Sequence, residues 1–296
     1  MILRHILRFI GHQHYLRFGV RDRIIRAFHN PDSCPSENFK VPFFGKFYSG
    51  NFSTFIDWSV YYYGAYSFDE LDLMRDTIKG VTNPIVIDIG ANIGHHSLFA
   101  ATIAEQVHSF EPFPAVFEKI KEKIKINNIS NITIHEIGLG ESNEDLPYTP
   151  PDSCNTGTGS FTNRSKEISS RLSLPVRKGD DYLKSLNLTK IDFIKMDIEG
   201  YEPQALRGLK NTLEKYRPIV FFEWSTNERN IDVKHNDLFP CKYQIFDFIT
   251  DEIVLCFFKK PGYKLKENKG LNNDGNKVAI PEEKMKEFLI KRTLNI

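Results

Sequence analysis

The chain has 296 residues, 41% hydrophobic, 13% aromatic and 26% charged, and Lys+Arg 39 against Asp+Glu 38 leave a formal charge of +1. There is ample chain for a core, and the composition excludes collagen-like, coiled-coil and intrinsically disordered classes. With no global field to draw it to nucleic acid or to an acidic membrane, no nucleic-acid partner is expected.

In chain order, residues 1–80 form an aromatic and basic front. Arg4, Arg8, Arg17, Arg21, Arg23 and Arg26 alternate with Ile, Leu and Phe, the pattern of a basic amphipathic surface helix. The expectation is that its apolar face packs on the domain, with peripheral membrane contact through residues 1–30 as the alternative. The cluster Phe43, Phe44, Phe47, Tyr48, Trp58, Tyr61, Tyr62, Tyr63 and Tyr66 reads equally as ordinary core and as a lid with a substrate-binding platform.

Beyond Gly80, strands and helices alternate. Ile85 to Ile89 is a short apolar run that reads as a buried strand, and His95 to Ala104 as a helix. Val107 to Phe110 is the next strand; Val116, Phe117, Ile120 and Ile124 mark one face of a helix that Asn127 and Asn128 end. Ile132 to Ile134 is a third strand and Ile191 to Met196 a fourth, followed by a helix with Pro203 in its first turn and a fifth strand over Pro218 to Phe222. Such alternation predicts an α/β fold: a mostly parallel sheet with helices on both faces. Tyr243 to Ile249 and Ile253 to Phe258, three residues apart, are expected to finish it as a terminal antiparallel hairpin. Lys259 to Lys269 reads as a solvated loop and Pro281 to Lys291 as a last short helix. Cys34, Cys154, Cys241 and Cys256 form no C-x-x-C pair, so free thiols in a reducing compartment are expected. No run reaches the roughly 18 apolar residues of a membrane span, and arginines interrupt the first stretch where a signal peptide would be apolar. A cytoplasmic location follows as the expectation, and the Asn-x-Ser/Thr sequons are read as accidents of composition.

In an open parallel sheet, ligands bind beyond the carboxyl ends of the strands. After the first strand come Asp88, Gly90, Asn92 and Gly94, a glycine-rich turn of spacing G-x-x-x-G, and Glu111 follows the second strand 21 residues after Gly90. A carboxylate there can accept hydrogen bonds from both hydroxyls of a ribose, so the pair implies a nucleoside cofactor. Asn92, where a dinucleotide fingerprint has glycine, favours S-adenosylmethionine over NAD.

The stretches VIDIGANIG (Val86 to Gly94), SFEP (Ser109 to Pro112) and FIKMDIEGYEPQALRG (Phe193 to Gly208) resemble the FkbM family of S-adenosylmethionine-dependent methyltransferases, with a looser echo in KVAIPEE (Lys277 to Glu283). The resemblance covers roughly Gly64 to Trp224. It implies a Rossmann-like class I methyltransferase fold, a seven-stranded sheet whose last strand inserts antiparallel. It places Asp88, Gly90, Asn92, Gly94 and Glu111 at the cofactor positions, and Lys195, Asp197, Glu199, Gly200 and Glu202 in the second motif. One departure is His135-Glu136-Ile137-Gly138-Leu139-Gly140, where members often have a small and an acidic residue. The segment Asn155-Thr156-Gly157-Thr158-Gly159-Ser160 matches the family's Asn/Gly/Ser stretch.

Methyl transfer needs an aligned acceptor and a place for its proton. Asp197 or Glu199 as general base is one mechanism; Asp197 and Glu223 holding a divalent cation, Mg²⁺ by its preference for hard oxygen, is another. Lys195 serves as counter-ion in either. A purely structural reading stands beside both: Lys195 and Asp197 as an ion pair, Glu199 and Glu202 in the first turn of a helix. His95 and His96 are read as solvated or capping rather than catalytic. The expected organisation is an N-terminal extension and lid (1–80), a methyltransferase domain (81–260) and a tail with a short helix (261–296). The expected activity is O-methylation of a saccharide, glycan or secondary-metabolite hydroxyl; an inactive nucleoside-binding protein of the same fold and an NAD-dependent oxidoreductase are the alternatives.

Overall fold

The computed structural model describes residues 2–33, 36–150, 159, 161, 172–226, 235–250, 252–260, 262–268 and 270–293. Cys34, Cys154 and all of Asn155 to Ser160 except Gly159 lie outside the described residues; Cys241 and Cys256 are free and exposed.

The main sheet has eight strands: β1 (Ile85–Ile89), β2 (Gln106–Phe110), β3 (Ile132–His135), β4 (Phe193–Met196), β5 (Ile219–Trp224), β6 (Tyr243–Ile249), β7 (Lys264–Glu267) and β8 (Gly275–Pro281). Their order is β7-β6-β8-β5-β4-β1-β2-β3. Strands β1 to β5 are mutually parallel, and β8 runs antiparallel between β5 and β6. The chain goes from β1 outward to β2 and β3, then returns to lay β4 on the other side of β1, so strand order reverses between β1 and β4. A crevice at the carboxyl ends of this pair follows from that reversal.

The pleat explains the apolar runs. Ile85, Ile87, Ile89, Ile194, Met196, Val220 and Phe222 bury one face with Leu206, Leu209 and Leu213 of the helices after β4. Val86, Val107, Phe193, Ile219, Phe221, Val278 and Ile280 bury the other. With both faces covered, the central strands β1, β4 and β5 are apolar on both sides apart from Asp88, Lys195 and Glu223. Asp88 and Lys195 are register partners on the second face, which sets their side chains next to one another.

Several expectations change. Tyr243 to Ile249 does not form a hairpin with the segment that follows it: β6 pairs with β8 and β7, while Glu252–Leu255 pairs with Phe258–Lys260 as a separate ribbon. The antiparallel end of the sheet is present but is built from the KVAIPEE segment. That pairing spans some 30 residues, and a short connection cannot encode it. A boundary at residue 260 would therefore cut through the sheet, since the tail supplies β7 and β8. The solvated loop expected after Lys259 contains the edge strand β7, and the final helix covers Glu282–Thr293.

The front is not an appendage either. Val41, Phe43, Tyr48, Val60, Leu71 and Met74 join the core on the second face of the sheet, and Trp58, Tyr62, Tyr63 and Phe52 form a further cluster with Leu7 and Ile25. Most of the aromatic cluster is thus core. Of its buried phenols, Tyr48 donates to Asp57 Oδ1 at 2.8 Å and Tyr63 to Asp22 Oδ1 at 2.9 Å. Helix Ile2–Gly11 buries Leu7 and Gly11 but leaves Ile2 78% and Phe9 69% exposed, so only one side of it packs on the domain. Its arginines are engaged within the chain: Arg4 pairs with Glu37 at 2.7 Å and Arg8 lies 5.3 Å from the Tyr61 ring centre. Among the described residues no helix is long and apolar enough to cross a membrane.

Candidate active site

At the carboxyl ends of β1, β2 and β4 lies a cavity of about 260 Å³, lined by Gly90, Asn92, Glu111, Pro112, Val116, Tyr148, Phe161, Asp197, Ile198 and Glu199, with Phe55, Ile56 and Tyr66 from the front. Parallel pairing of Ile89 with Met196 brings the glycine turn against the end of β4. A Cβ on Gly90 would stand 2.0 Å from the Asp197 carbonyl oxygen, and φ of +76° there also requires glycine. Asn92 follows in the left-handed region at φ 50°, a conformation asparagine tolerates.

The turn aims Glu111. Its Oε2 accepts the Asn92 N–H at 2.9 Å and its Oε1 the Phe113 N–H at 3.0 Å. Burial raises this carboxyl to about 7 against the pull of those two donors. Ionised, a carboxylate has about four acceptor sites, so two remain for a ligand. The Asn92 Oδ1 is buried without a hydrogen-bond partner among the described residues. A vicinal diol is a matching donor set for Glu111, and Pro112, Val116, Tyr148 and Phe161 offer apolar surface for a flat ring; the cavity fits a nucleoside on both counts.

Asp88, Gly94 and Lys195 lie behind the cavity wall. Asp88 is fully buried, accepts from Ser97 Oγ at 2.6 Å and faces Lys195 Nζ at 3.8 Å. Lys195 Nζ also approaches Asp197 Oδ2 at 3.4 Å and the Gly90 carbonyl at 3.3 Å. Burial works against the lysine's charge, but Asp197 and Asp88 outweigh it and its pKa is raised. This cation ties β1, β4 and the glycine turn together. Gly94 sits close under Ile120, where a Cβ would be 3.0 Å from the isoleucine.

Opposite Glu111, the chain after β4 presents Asp197 and Glu199. Together with Glu223 at the end of β5 their carboxylate oxygens lie within 4.8 Å of one another, a spacing that can hold a metal ion. Burial, with Asp197 and Glu223 beside it, pushes Glu199 up to about 7. Its backbone is left-handed at φ 55°, an uncommon state for a residue with a side chain. Glu202 is buried, accepts the Ile198 N–H at 2.8 Å and is raised to about 8 by that burial, so it secures the loop.

The two histidines are neither solvated nor capping by their side chains. His95 is buried among Phe43, Tyr48 and Tyr66 and accepts the Tyr66 N–H at 3.2 Å, and burial lowers its pKa. His96 Nε2 stands 3.0 Å from Glu70 Oε2. His135, in the departure after β3, stacks on Phe110 and bonds His108 and Tyr182 within the sheet edge. Sequence reasoning missed Phe55, Ile56, Tyr148 and Phe161 as lining residues. They lie in no motif and carry no period that singles them out, whereas Tyr66 was within the aromatic cluster.

A family model described as the methyltransferase FkbM domain matches residues 88–265. Among curated proteins, hexuronic acid methyltransferase AglP of Haloferax volcanii is 27% identical over 154 residues, 51% of this chain and 61% of that protein. 2-O-methyltransferase NoeI of Sinorhizobium fredii is 24% identical over 161 residues, 49% of this chain and 65% of that protein. Methyltransferase 1 of Beauveria bassiana is 26% identical over 158 residues, 47% of this chain and 64% of that protein. The chain thus spans less than two thirds of the length of these three relatives. A crystal structure of methyltransferase FkbM from Methylobacillus flagellatus aligns with 20% identity and a TM-score of 0.41, over 68% of this chain and 45% of that one. With the matched range running from the end of β1 into β7, the chain belongs to the FkbM methyltransferase domain family.

Proposed function

We propose that this protein is an S-adenosylmethionine-dependent O-methyltransferase whose acceptor is a hydroxyl of a saccharide or secondary metabolite. Glu111 carries the reading: a buried carboxylate with one backbone N–H on each oxygen and two acceptor sites left at a cavity of nucleoside size. When bound, the cofactor supplies a methyl carbon made electrophilic by its sulfonium. Gly90 and Asn92 orient Glu111 for the ribose, and the apolar wall excludes water from the adenine side. Across the cavity, Glu199 takes the acceptor's proton as general base, since a carboxyl held near 7 is half ionised at neutral pH and accepts a proton well there. Asp197, held by Lys195 at 3.4 Å, stands beside it.

A second reading rests on the spacing of Asp197, Glu199 and Glu223: a divalent cation such as Mg²⁺ held by the three would lower the acceptor hydroxyl's pKa. Calorimetric titration with S-adenosylmethionine, S-adenosylhomocysteine and NAD tests the cofactor. Binding of the two sulfur nucleosides without NAD is expected, and NAD binding alone refutes the assignment. Glu199→Gln is expected to keep S-adenosylhomocysteine affinity and lose about 10² to 10⁴ in turnover. Turnover that survives a chelator removes the cation, and turnover abolished by the chelator replaces the base mechanism with it.

A further inference from the structure

A second cavity, of about 510 Å³, opens on the other side of Tyr66 and Phe55, the two residues that also line the candidate cofactor cavity. It is built outside the strands that carry the cofactor turn: by the front helices, by Phe248 and Thr250 at the end of β6, and by Asn276 in β8. We propose that this cavity is the acceptor site, and that it takes an uncharged polyhydroxylated ring. The proposal rests on the methyltransferase reading above and adds to it the place and charge of the acceptor.

Three observations carry it. The first is connection. Phe55 and Tyr66 line both cavities, and Asp197 and Glu199 line the far side of that shared wall, so a ring held here is the neighbour of the reacting groups. The second is a polar atom without a partner: Ser59 lines the cavity, is 2% exposed, and its Oγ has no hydrogen bond among the described residues. A buried hydroxyl left unsatisfied is costly, and a ligand hydroxyl would satisfy it.

The third is the balance of rings and charge. Phe18, Phe55, Tyr63, Tyr66 and Phe68 supply flat apolar surface of the kind that accommodates the C–H face of a saturated ring, while Asp69, Glu70 and Asp72 supply hydroxyl acceptors. Of the three carboxylates Asp69 pairs with Lys259 and Asp72 with Arg75 just outside the lining, and His14 is kept neutral by burial. Both lining cations are engaged, Lys259 with Asp69 at 3.6 Å and Arg21 with the Gly11 carbonyl at 2.5 Å. A charged ring, of either sign, would have to break one of these pairs, whereas a neutral one leaves them intact. On the reaction side Glu70 is held from two directions, by Asn276 Nδ2 at 3.1 Å and His96 Nε2 at 3.0 Å, which fixes it as an acceptor beside the transfer path.

The test is saturation-transfer NMR on the full chain loaded with S-adenosylhomocysteine, with three probes: methyl glucopyranoside, the matching uronate and the matching amino sugar. Loading is first checked by calorimetry, so a failure there refutes the cofactor reading and is distinguished from a failure here. The expected result is transfer to the neutral glycoside above the other two. Thr250→Trp, at an exposed position on the rim, abolishes that transfer while S-adenosylhomocysteine affinity is unchanged. Ser59→Ala weakens glycoside binding about threefold to tenfold, the range of one net hydrogen bond, without loss of thermal stability. Stronger transfer to the uronate or the amine overturns the charge assignment. Transfer that survives Thr250→Trp overturns the location, and no transfer to any probe on loaded protein overturns the proposal whole.

Discussion

If Glu111 receives a ribose diol, cofactor affinity must depend on pH in a way set by that one carboxyl. Free, it is raised to about 7 by burial, so at pH 6 only about one molecule in eleven has it ionised, and at pH 8 about ten in eleven. Two donated hydroxyl hydrogen bonds favour the ionised form, which lowers the pKa in the complex. Binding therefore releases a proton, and affinity rises with pH until the free carboxyl is ionised. From pH 6 to pH 8 the association constant for S-adenosylhomocysteine should increase about tenfold, or about 1.4 kcal/mol. Calorimetry in buffers of different ionisation enthalpy measures both the slope and the proton released. S-Adenosylhomocysteine is the right probe because it lacks the sulfonium, whose charge would respond to Asp197 and Glu199. Glu199 is raised to the same region and lines the same cavity, so Glu199→Gln is the control and should keep the slope. Glu111→Gln should abolish it and cost about 1.5 to 3 kcal/mol at pH 8, the usual worth of hydrogen bonds to a charged group. A flat profile in the wild type, or a slope that survives Glu111→Gln, would refute the assignment.

Lys195→Met leaves Asp88 as a charge in a fully buried site and should lower stability by about 3 to 5 kcal/mol in urea denaturation; a loss below about 1 kcal/mol would show that Ser97 alone satisfies Asp88. Gly90→Ala drives a Cβ into the Asp197 carbonyl at a left-handed backbone position, so about 1 to 3 kcal/mol of stability should be lost along with cofactor binding, and wild-type binding by this variant would mean the turn is not part of the site. Glu111, Glu199 and Glu202, raised to about 7, 7 and 8, hold more protons in the folded than in the unfolded chain above about pH 4.5, so stability should fall as pH rises from about 7.5 to 8.5, where no other shifted group outweighs them. His14 and His135, lowered to about 4 by burial, and His12, His29, His95 and His108, lowered by the same cause, oppose this fall below about pH 7.5, where the unfolded chain still protonates its histidines. Thermal melts of wild type and Glu202→Gln check this: the variant's Tm should change less with pH, and equal slopes would remove Glu202 from the account.

What was legible in the sequence was what short stretches of chain determine. Strands β1, β4 and β5 are nearly continuous apolar runs because both faces of the sheet are covered there, and Gly90 and Glu111 follow strand ends that short apolar runs mark. Pairing across distance was not legible. Nothing near Tyr243 states that its partner lies around Pro281, and the three-residue gap after Ile249 pointed instead to a local hairpin. Asp88 shows the same limit at the site. Its place in a glycine-rich motif suggested a ligand contact, yet the pleat turns it to the buried face, where Lys195 from a strand more than a hundred residues away becomes its counter-ion. Tyr148 and Phe161 could not be chosen from the chain's 12 tyrosines and 24 phenylalanines, because only the tertiary fold sets them over the cavity.

The two cavities draw unequally on the matched range. The turn, Glu111, Asp197 and Glu199 all lie within the matched range of residues 88–265, whereas Phe55, Tyr66, Glu70 and Asn276 lie outside it and close the site from the other side. The cofactor half of the proposed reaction is thus set by β1, β2 and β4, and the acceptor half by the front helices and β8 together with Phe248, Thr250 and Lys259 from within that range. The division has a mechanical consequence. Because the front helices share the hydrophobic core of the second sheet face, they cannot be removed to leave a smaller enzyme with altered specificity. Truncation would expose Val86, Phe193 and Phe221, among others, and at about 25 cal/mol per Å2 of apolar surface the loss of several such contacts exceeds the few kcal/mol by which a domain is stable. A change of acceptor has to be sought at rim positions such as Thr250, where the side chain meets solvent and the core is left intact.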